Sequence, residues 1–141
     1  MNIYQILPNL YVADLNIDET TLLQHNISNI VSINFEYNNN RFNEYKYKFD
    51  NNNKFLNSNK YNIINFELVN NEIFNSLKNN QAIIIIDNDK ILSLLFCVSF
   101  ITKYLNVSLF ETLFCLSKKL NINLKNISKN LLFELINFSK K

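Results

Sequence analysis

Residues 82 to 86 read Ala-Ile-Ile-Ile-Ile, and Asp87-Asn88-Asp89 follow at once. A run that is apolar at every position cannot lie with one face in water. It has to be buried on both sides, as a central strand of a parallel sheet is. Parallel neighbours need crossover connections, and these lay helices on the sheet faces. This one segment therefore commits the chain to an α/β architecture. The next residues, from about Lys90 to Leu105, are apolar all round and read as a buried helix. The outline is strand, tight turn, helix. In open α/β sheets that junction is where ligands sit and where a helix N-terminus attracts anions. Here the turn carries two carboxylates and an amide, with no glycine, cysteine or arginine.

The rest of the chain supplies the other elements of such a fold. Residues 3 to 13 read as two short strands broken at Pro8-Asn9. Asp18-Glu19-Thr20-Thr21 puts a capping acceptor and an acid at the start of a helix that runs to about His25. Asn29 to Asn34 alternates apolar and polar residues and reads as a strand. Residues 36 to 60 are polar and Asn-rich, and predict a long irregular loop. Some of its aromatics, Phe42, Tyr45, Tyr47, Phe49 and Phe55, should pin it to the body, because long free loops are uncommon in compact domains. Tyr61 to Leu68 reads as a strand and Asn71 to Lys78 as a short helix. A further helix starts at Ser108, with Glu111 as capping-box partner and a stripe of Leu109, Leu113, Leu116 and Leu120. The last carries Ile127, Leu131, Leu135 and Phe138 at helical spacing. The expected order is β-β-α-β-loop-β-α-β-α-α-α, a single domain over residues 1–141.

Composition removes several kinds of chemistry. Without glycine, no Gly-rich phosphate loop of the Walker or Rossmann kind can form. His25 is the only histidine; it stands near the end of the first helix, where a positive charge suits the dipole, and reads as surface or capping. Cys97 and Cys115 lie in apolar helical patterns and read as buried free thiols, which fits a reducing compartment. A formal charge of +2, with scattered lysines, gives no stripe for nucleic acid. The strongly apolar run from Ile91 to Ile101 is too short to cross a bilayer, and no targeting leader is visible at the N-terminus. The expectation is an intracellular, cytoplasmic protein with no membrane partner. About a fifth of the residues are Asn. Together with frequent Ile, Lys, Phe and Tyr, this is the bias of AT-rich codons and points to a virus or protist source. Read that way, the Asn clusters carry no function.

Four segments, in order, resemble a known family. Ile6-Leu7-Pro8-Asn9-Leu10-Tyr11-Val12 is similar to the opening of small dual-specificity protein phosphatases. Asn26-Ile27-Ser28-Asn29-Ile30-Val31-Ser32-Ile33-Asn34 resembles their next strand, with Asn26 where the family usually has Gly. Phe100 to Leu109 resembles the helix-turn-helix after their catalytic loop, and Leu131 to Phe138 their last helix. The compact size suggests the poxvirus H1-like branch. The resemblance implies a protein-tyrosine-phosphatase-like α/β fold, with a central, mostly parallel sheet flanked by helices. It also implies that the catalytic loop falls on Ile85, Ile86, Asp87, Asn88, Asp89, Lys90, Ile91, Leu92 and Ser93. In one register Ile86 takes the cysteine position and Leu92 the arginine position; slipped by one, Asp87 and Ser93 do.

Neither register keeps the chemistry. The nucleophile must be a thiolate, and a planar guanidinium must grip two phosphoryl oxygens. Arg41 lies in the long loop and cannot substitute. Glu67 is the carboxyl nearest the family's general-acid position, and it reads as a solvated residue at a strand end. The expectation is a pseudophosphatase with no catalytic residue, no cofactor and no metal. It would act by binding protein, as scaffold, regulator or structural component. Its partner is an unidentified protein, with a second copy of the chain among the candidates. Phe35 to Asn59 is a candidate contact surface. An alternative starts from Asp87 and Asp89: four hydrophobics followed by D-x-D resemble the first motif of haloacid-dehalogenase-type phosphatases, which implies a Mg²⁺-dependent, aspartate-based phosphatase or phosphotransferase. The plainest reading of Asp87-Asn88-Asp89 is a strand-to-helix turn with Asp as helix cap, in which a carboxylate of the loop itself takes the place of a bound anion.

Overall fold

The computed structural model describes residues 3–49, 62–63 and 66–140. Its order of elements is β1 (Ile3–Leu7), β2 (Leu10–Ala13), α1 (Glu19–Gln24), β3 (Ile27–Ile33), β4 (Asn43–Lys48), β5 (Asn62–Ile63), α2 (Phe66–Lys78), β6 (Ala82–Ile86), α3 (Ile91–Leu105), α4 (Leu109–Lys119) and α5 (Lys129–Ser139). A single 3₁₀ turn, Leu124–Asn126, precedes α5. The strands form one sheet in the order β1-β2-β6-β3-β4-β5. Only β1 and β2 are antiparallel; every other pair is parallel. The fold is therefore a mostly parallel α/β sheet.

β6 lies between β2 and β3, and all five of its residues are buried. Strand alternation divides them. Ile83 and Ile85 face a large core built with α2, α3, α4 and α5. Ala82, Ile84 and Ile86 face a smaller core closed by Ile17 and by Leu22 of α1. α3 is the central helix of the larger layer, with ten consecutive buried residues from Leu92 to Ile101. Two layers of helix on a sheet this apolar account for a strand with no polar face.

Three expectations are corrected. The region taken as irregular loop contains β4, which pairs parallel with β3. Tyr45, Tyr47 and Phe49 alternate with lysines, as strand residues do, but the Asn-rich flanks hide the pattern. Within the expected strand Tyr61 to Leu68, the described residues Asn62–Ile63 are strand, but the helix already begins at Phe66. Phe66, Val69, Ile73 and Leu77 recur at helical spacing and pack into the larger core, which decides the element. Ile127 is buried but lies outside α5, which Ser128 caps by accepting the Leu131 N–H.

The aromatics of residues 35 to 49 are mostly packed down rather than presented. Phe42, Tyr47 and Phe49 are buried and Tyr45 is exposed; Phe55 lies outside the described residues. Glu44 secures the intervening turn by accepting from Ser32 Oγ and from the N–H groups of Tyr37 and Asn38.

The abundance of Asn has a structural use. Among the described residues, eight have positive φ, and seven of them are Asn: Asn9, Asn26, Asn34, Asn38, Asn80, Asn106 and Asn121. Asn is the residue after glycine that best tolerates this conformation. Asn80 and Asn121 close α2 and α4 in the same way. Gln81 N–H donates to Ser76 O and Ile122 N–H to Ser117 O, the helix-ending motif usually built on Gly. Asn26, at the position where the resemblance implies Gly, has φ 57°.

Candidate functional site

The turn after β6 is held by hydrogen bonds of its own carboxyl groups. Alternation along β6 sends Asp87 to the same side as Ile83 and Ile85, towards α3. Asp87 is 4% exposed, and its Oδ2 accepts the N–H of Leu92 at 3.0 Å. Asp89 Oδ1 accepts the N–H of Ile91 at 3.0 Å. The expected capping is thus present, but not from the N-cap position itself. That position is held by Lys90, in the left-handed conformation (φ 64°) and with no capping side chain. Its ammonium stands 5.8 Å from the Tyr4 ring. Two of the orphan donors at the head of α3, the N–H groups of Ile91 and Leu92, are satisfied from within the loop.

Burial is the main influence on the Asp87 carboxyl and pushes it up to about 7; the charge of Asp89 adds to this, while N–H groups of Leu92, Asn88 and Ser93 pull the other way. An acid at an N-terminus is usually stabilised as the anion. Here the loss of solvent is the stronger effect.

Above the turn is a cleft of about 270 Å³. Asn34, after β3, and Phe49, after β4, form one side. Asp87, Asn88 and Asp89 form the floor with Ile91 and Leu92. Asn126, Ser128 and Leu131, at the start of α5, form the other side. The cleft lies beyond the carboxyl ends of parallel strands, the usual ligand position in such sheets. Among the described residues, no Lys, Arg, His or Cys lines it.

The other loop positions fall elsewhere. Ile85 and Ile86 are fully buried in opposite cores. Ser93 is fully buried, and its Oγ makes no hydrogen bond among the described residues. Arg41 pairs with Glu19 at 3.2 Å on the surface. Glu67 is exposed, in the first turn of α2 rather than at a strand end. His25 is the C-cap of α1: its Nδ1 lies 2.8 Å from Thr21 O and its ring meets Tyr11 edge-on. Cys97 is buried and its thiol is pushed up by burial, but Cys115 is exposed, against expectation. It sits on the face of α4 opposite Leu113 and Leu116. Among the described residues, no three of His, Cys, Asp and Glu stand close enough to hold a metal ion, and no helix is long and apolar enough to cross a membrane.

Sequence reasoning found the floor of the cleft and missed its sides. Asn34 and Phe49 follow strands whose pairing was needed to place them, and Phe49 follows β4, a strand read as loop. Ser128 carried a signal, since a Ser three residues ahead of a leucine stripe marks a helix start.

No protein-family model matches the sequence, and no curated protein matches it significantly. Solved structures do. A human tyrosine phosphatase-like serine/threonine/tyrosine-interacting protein is 18% identical, with a TM-score of 0.76 over 98% of this chain and 95% of that one. The chain has the dual-specificity phosphatase fold. Human DUSP28 superposes with a TM-score of 0.77 at 11% identity, over 98% of this chain and 95% of its own. PTPMT1, solved in complex with PI(5)P, gives 0.74 at 14% identity, over 98% and 94%. At these identities the likeness is one of fold.

Proposed function

We propose that this domain is a pseudophosphatase that works by binding protein. The carrying observation is the turn at the head of α3. The N–H groups of Ile91 and Leu92 already bond to Asp89 and Asp87, and none of the described residues lining the cleft carries a thiol or a guanidinium. A phosphate entering it would meet two carboxyl groups and, among the described lining residues, no cation. Of the two registers, Asp87 at the nucleophile position agrees better with the geometry, because Asp87 lines the cleft and Ile86 faces the opposite core. Replacing Ile86 by Cys would bury the thiol away from the cleft. One structural neighbour bears the name of a phosphatase-like interacting protein, which is in keeping with a binding role. A poxvirus H1-like ancestry and a cytoplasmic setting belong to the same reading.

The competing reading is Mg²⁺-dependent phosphotransfer through Asp87 and Asp89, which do share the cleft. Against it, the Asp87 carboxyl is buried and already committed to the α3 backbone. Assay of the purified protein with an aryl phosphate, with and without Mg²⁺, separates the two. No turnover above buffer is expected. Metal-dependent turnover that disappears in Asp87→Asn would establish the enzyme instead.

A further inference from the structure

The end of α3 and the outer side of α4 leave an apolar face uncovered among the described residues. Of the eleven large hydrophobic side chains that are exposed there, five fall between Tyr104 and Phe114. Phe110 is 65% exposed and Phe114 51%. They stand four residues apart, so they form one stripe on α4. The stripe is turned away from the side that buries Leu113 and Leu116. On a scale of ~150–250 Å² per aromatic side chain, the five leave roughly 400 Å² of apolar surface in water. A contiguous patch of that size marks an interaction site.

A second stripe borders the first. Glu111, Cys115 and Lys118 recur at helical spacing, and all three are exposed. Lys118 Nζ stands 4.2 Å from the centre of the Phe114 ring, which holds its charge at the edge of the apolar stripe. Among the described residues, neither Glu111 nor Lys118 forms an ion pair. This border therefore has an anion at one end, a cation at the other and a thiol about midway.

We propose that this face of α4 pairs with the same face of a second copy of the chain, the two helices lying antiparallel about a two-fold axis near Cys115. The proposal rests on reading the domain as a binding module and adds which partner it takes. Charge complementarity selects that partner. About such an axis Glu111 of each copy meets Lys118 of the other, and the two phenylalanine stripes pack together. A parallel pairing in register would set Glu against Glu and Lys against Lys. An anionic lipid surface would attract Lys118 and repel Glu111. The antiparallel pairing would take roughly 800 Å² of apolar surface out of water, which is the size of a transient interface rather than an obligate one.

Sedimentation equilibrium from micromolar to millimolar protein, with reductant present, is expected to show monomer and dimer in exchange. Phe114→Glu, at an exposed position, should weaken the dimer about tenfold or more with Tm unchanged. Glu111→Lys and Lys118→Glu should each weaken it about tenfold, because both ion pairs become like-charge contacts. An equimolar mixture of these two variants should associate as the wild type does. A short bis-maleimide should link the wild-type dimer through Cys115, since Cys97 is buried. A monomer at every concentration, a dimer indifferent to Phe114→Glu, a dimer not linked through Cys115, or a mixture no tighter than its components would each overturn the proposal. So would binding of this face to anionic lipid vesicles in place of self-association. Its failure is distinct from that of the pseudophosphatase reading, which falls if aryl phosphate is turned over.

Discussion

Asp87 makes the stability of this domain depend on pH in a direction opposite to that of most carboxylates. Its folded carboxyl is pushed up to about 7, while an unfolded Asp titrates near ~3.9. The folded value is the higher, so the native state keeps a proton that the unfolded chain has released. This contribution is fully favourable at low pH and is lost as pH rises from about 4 to about 7. Between pH 5 and pH 8 the loss from this one carboxyl is about 2–3 kcal/mol. Asp87→Asn keeps an acceptor for the Leu92 N–H and cannot ionise. Urea unfolding of both proteins at pH 5 and pH 8 isolates the effect. The wild type should lose about 2–3 kcal/mol more than the variant on going to pH 8. Glu72 is raised by burial to about 7, although the Tyr47 hydroxyl pulls it down, so it adds a slope of the same sign. That slope is common to both proteins and cancels in the comparison. Parallel pH dependences would refute the reasoning. So would a variant that is penalised more at pH 8, which would mean that the α3 N–H groups outweigh burial and hold Asp87 as the anion.

Tyr47 donates its hydroxyl proton to Glu72 Oε1, and Glu72 Oε2 is buried without a partner among the described residues. Tyr47→Phe should therefore cost ~1–3 kcal/mol in urea unfolding, and Tyr47→Phe with Glu72→Leu should recover most of that loss. Thiol titration of the native protein should modify Cys115 rapidly and leave Cys97 untouched until denaturant is added; two fast thiols would contradict the burial of Cys97. Asn106, at the end of α3, has φ 55°. Asn106→Ala should cost ~1–2 kcal/mol, read as a lower Tm, and Asn106→Gly should stay close to wild type.

Most of the layer architecture was legible because it is written in long apolar patterns. Ala82 to Ile86 could only be a central strand, and Ile91 to Ile101 only a buried helix. The hairpin at Pro8-Asn9 and the caps at Asp18 and Ser108 depend on chemistry a few residues long. β4 was illegible because its position at the side of the sheet leaves it half-exposed, so Glu44, Lys46 and Lys48 break its apolar signal. Phe66 to Val69 fits a strand as well as a helix over four residues; only Ile73 and Leu77, further on, settle it. The floor of the cleft was legible as a turn, but the direction of Asp87 was not, because that depends on where β6 ends. A one-residue change in that end would exchange Asp87 for Ile86 at the mouth of the cleft.

The use of Asn in place of glycine also bears on the state from which the chain folds. Glycine widens the unfolded ensemble, and replacing it at a compatible position is typically worth ~0.4–1 kcal/mol through lost disorder alone. A chain with no glycine starts from a narrower set of conformations everywhere, including its turns. The seven left-handed Asn residues each carry some native strain, and the stiffer denatured chain offsets part of it. Their contribution to stability would thus be invisible in any inventory of native contacts.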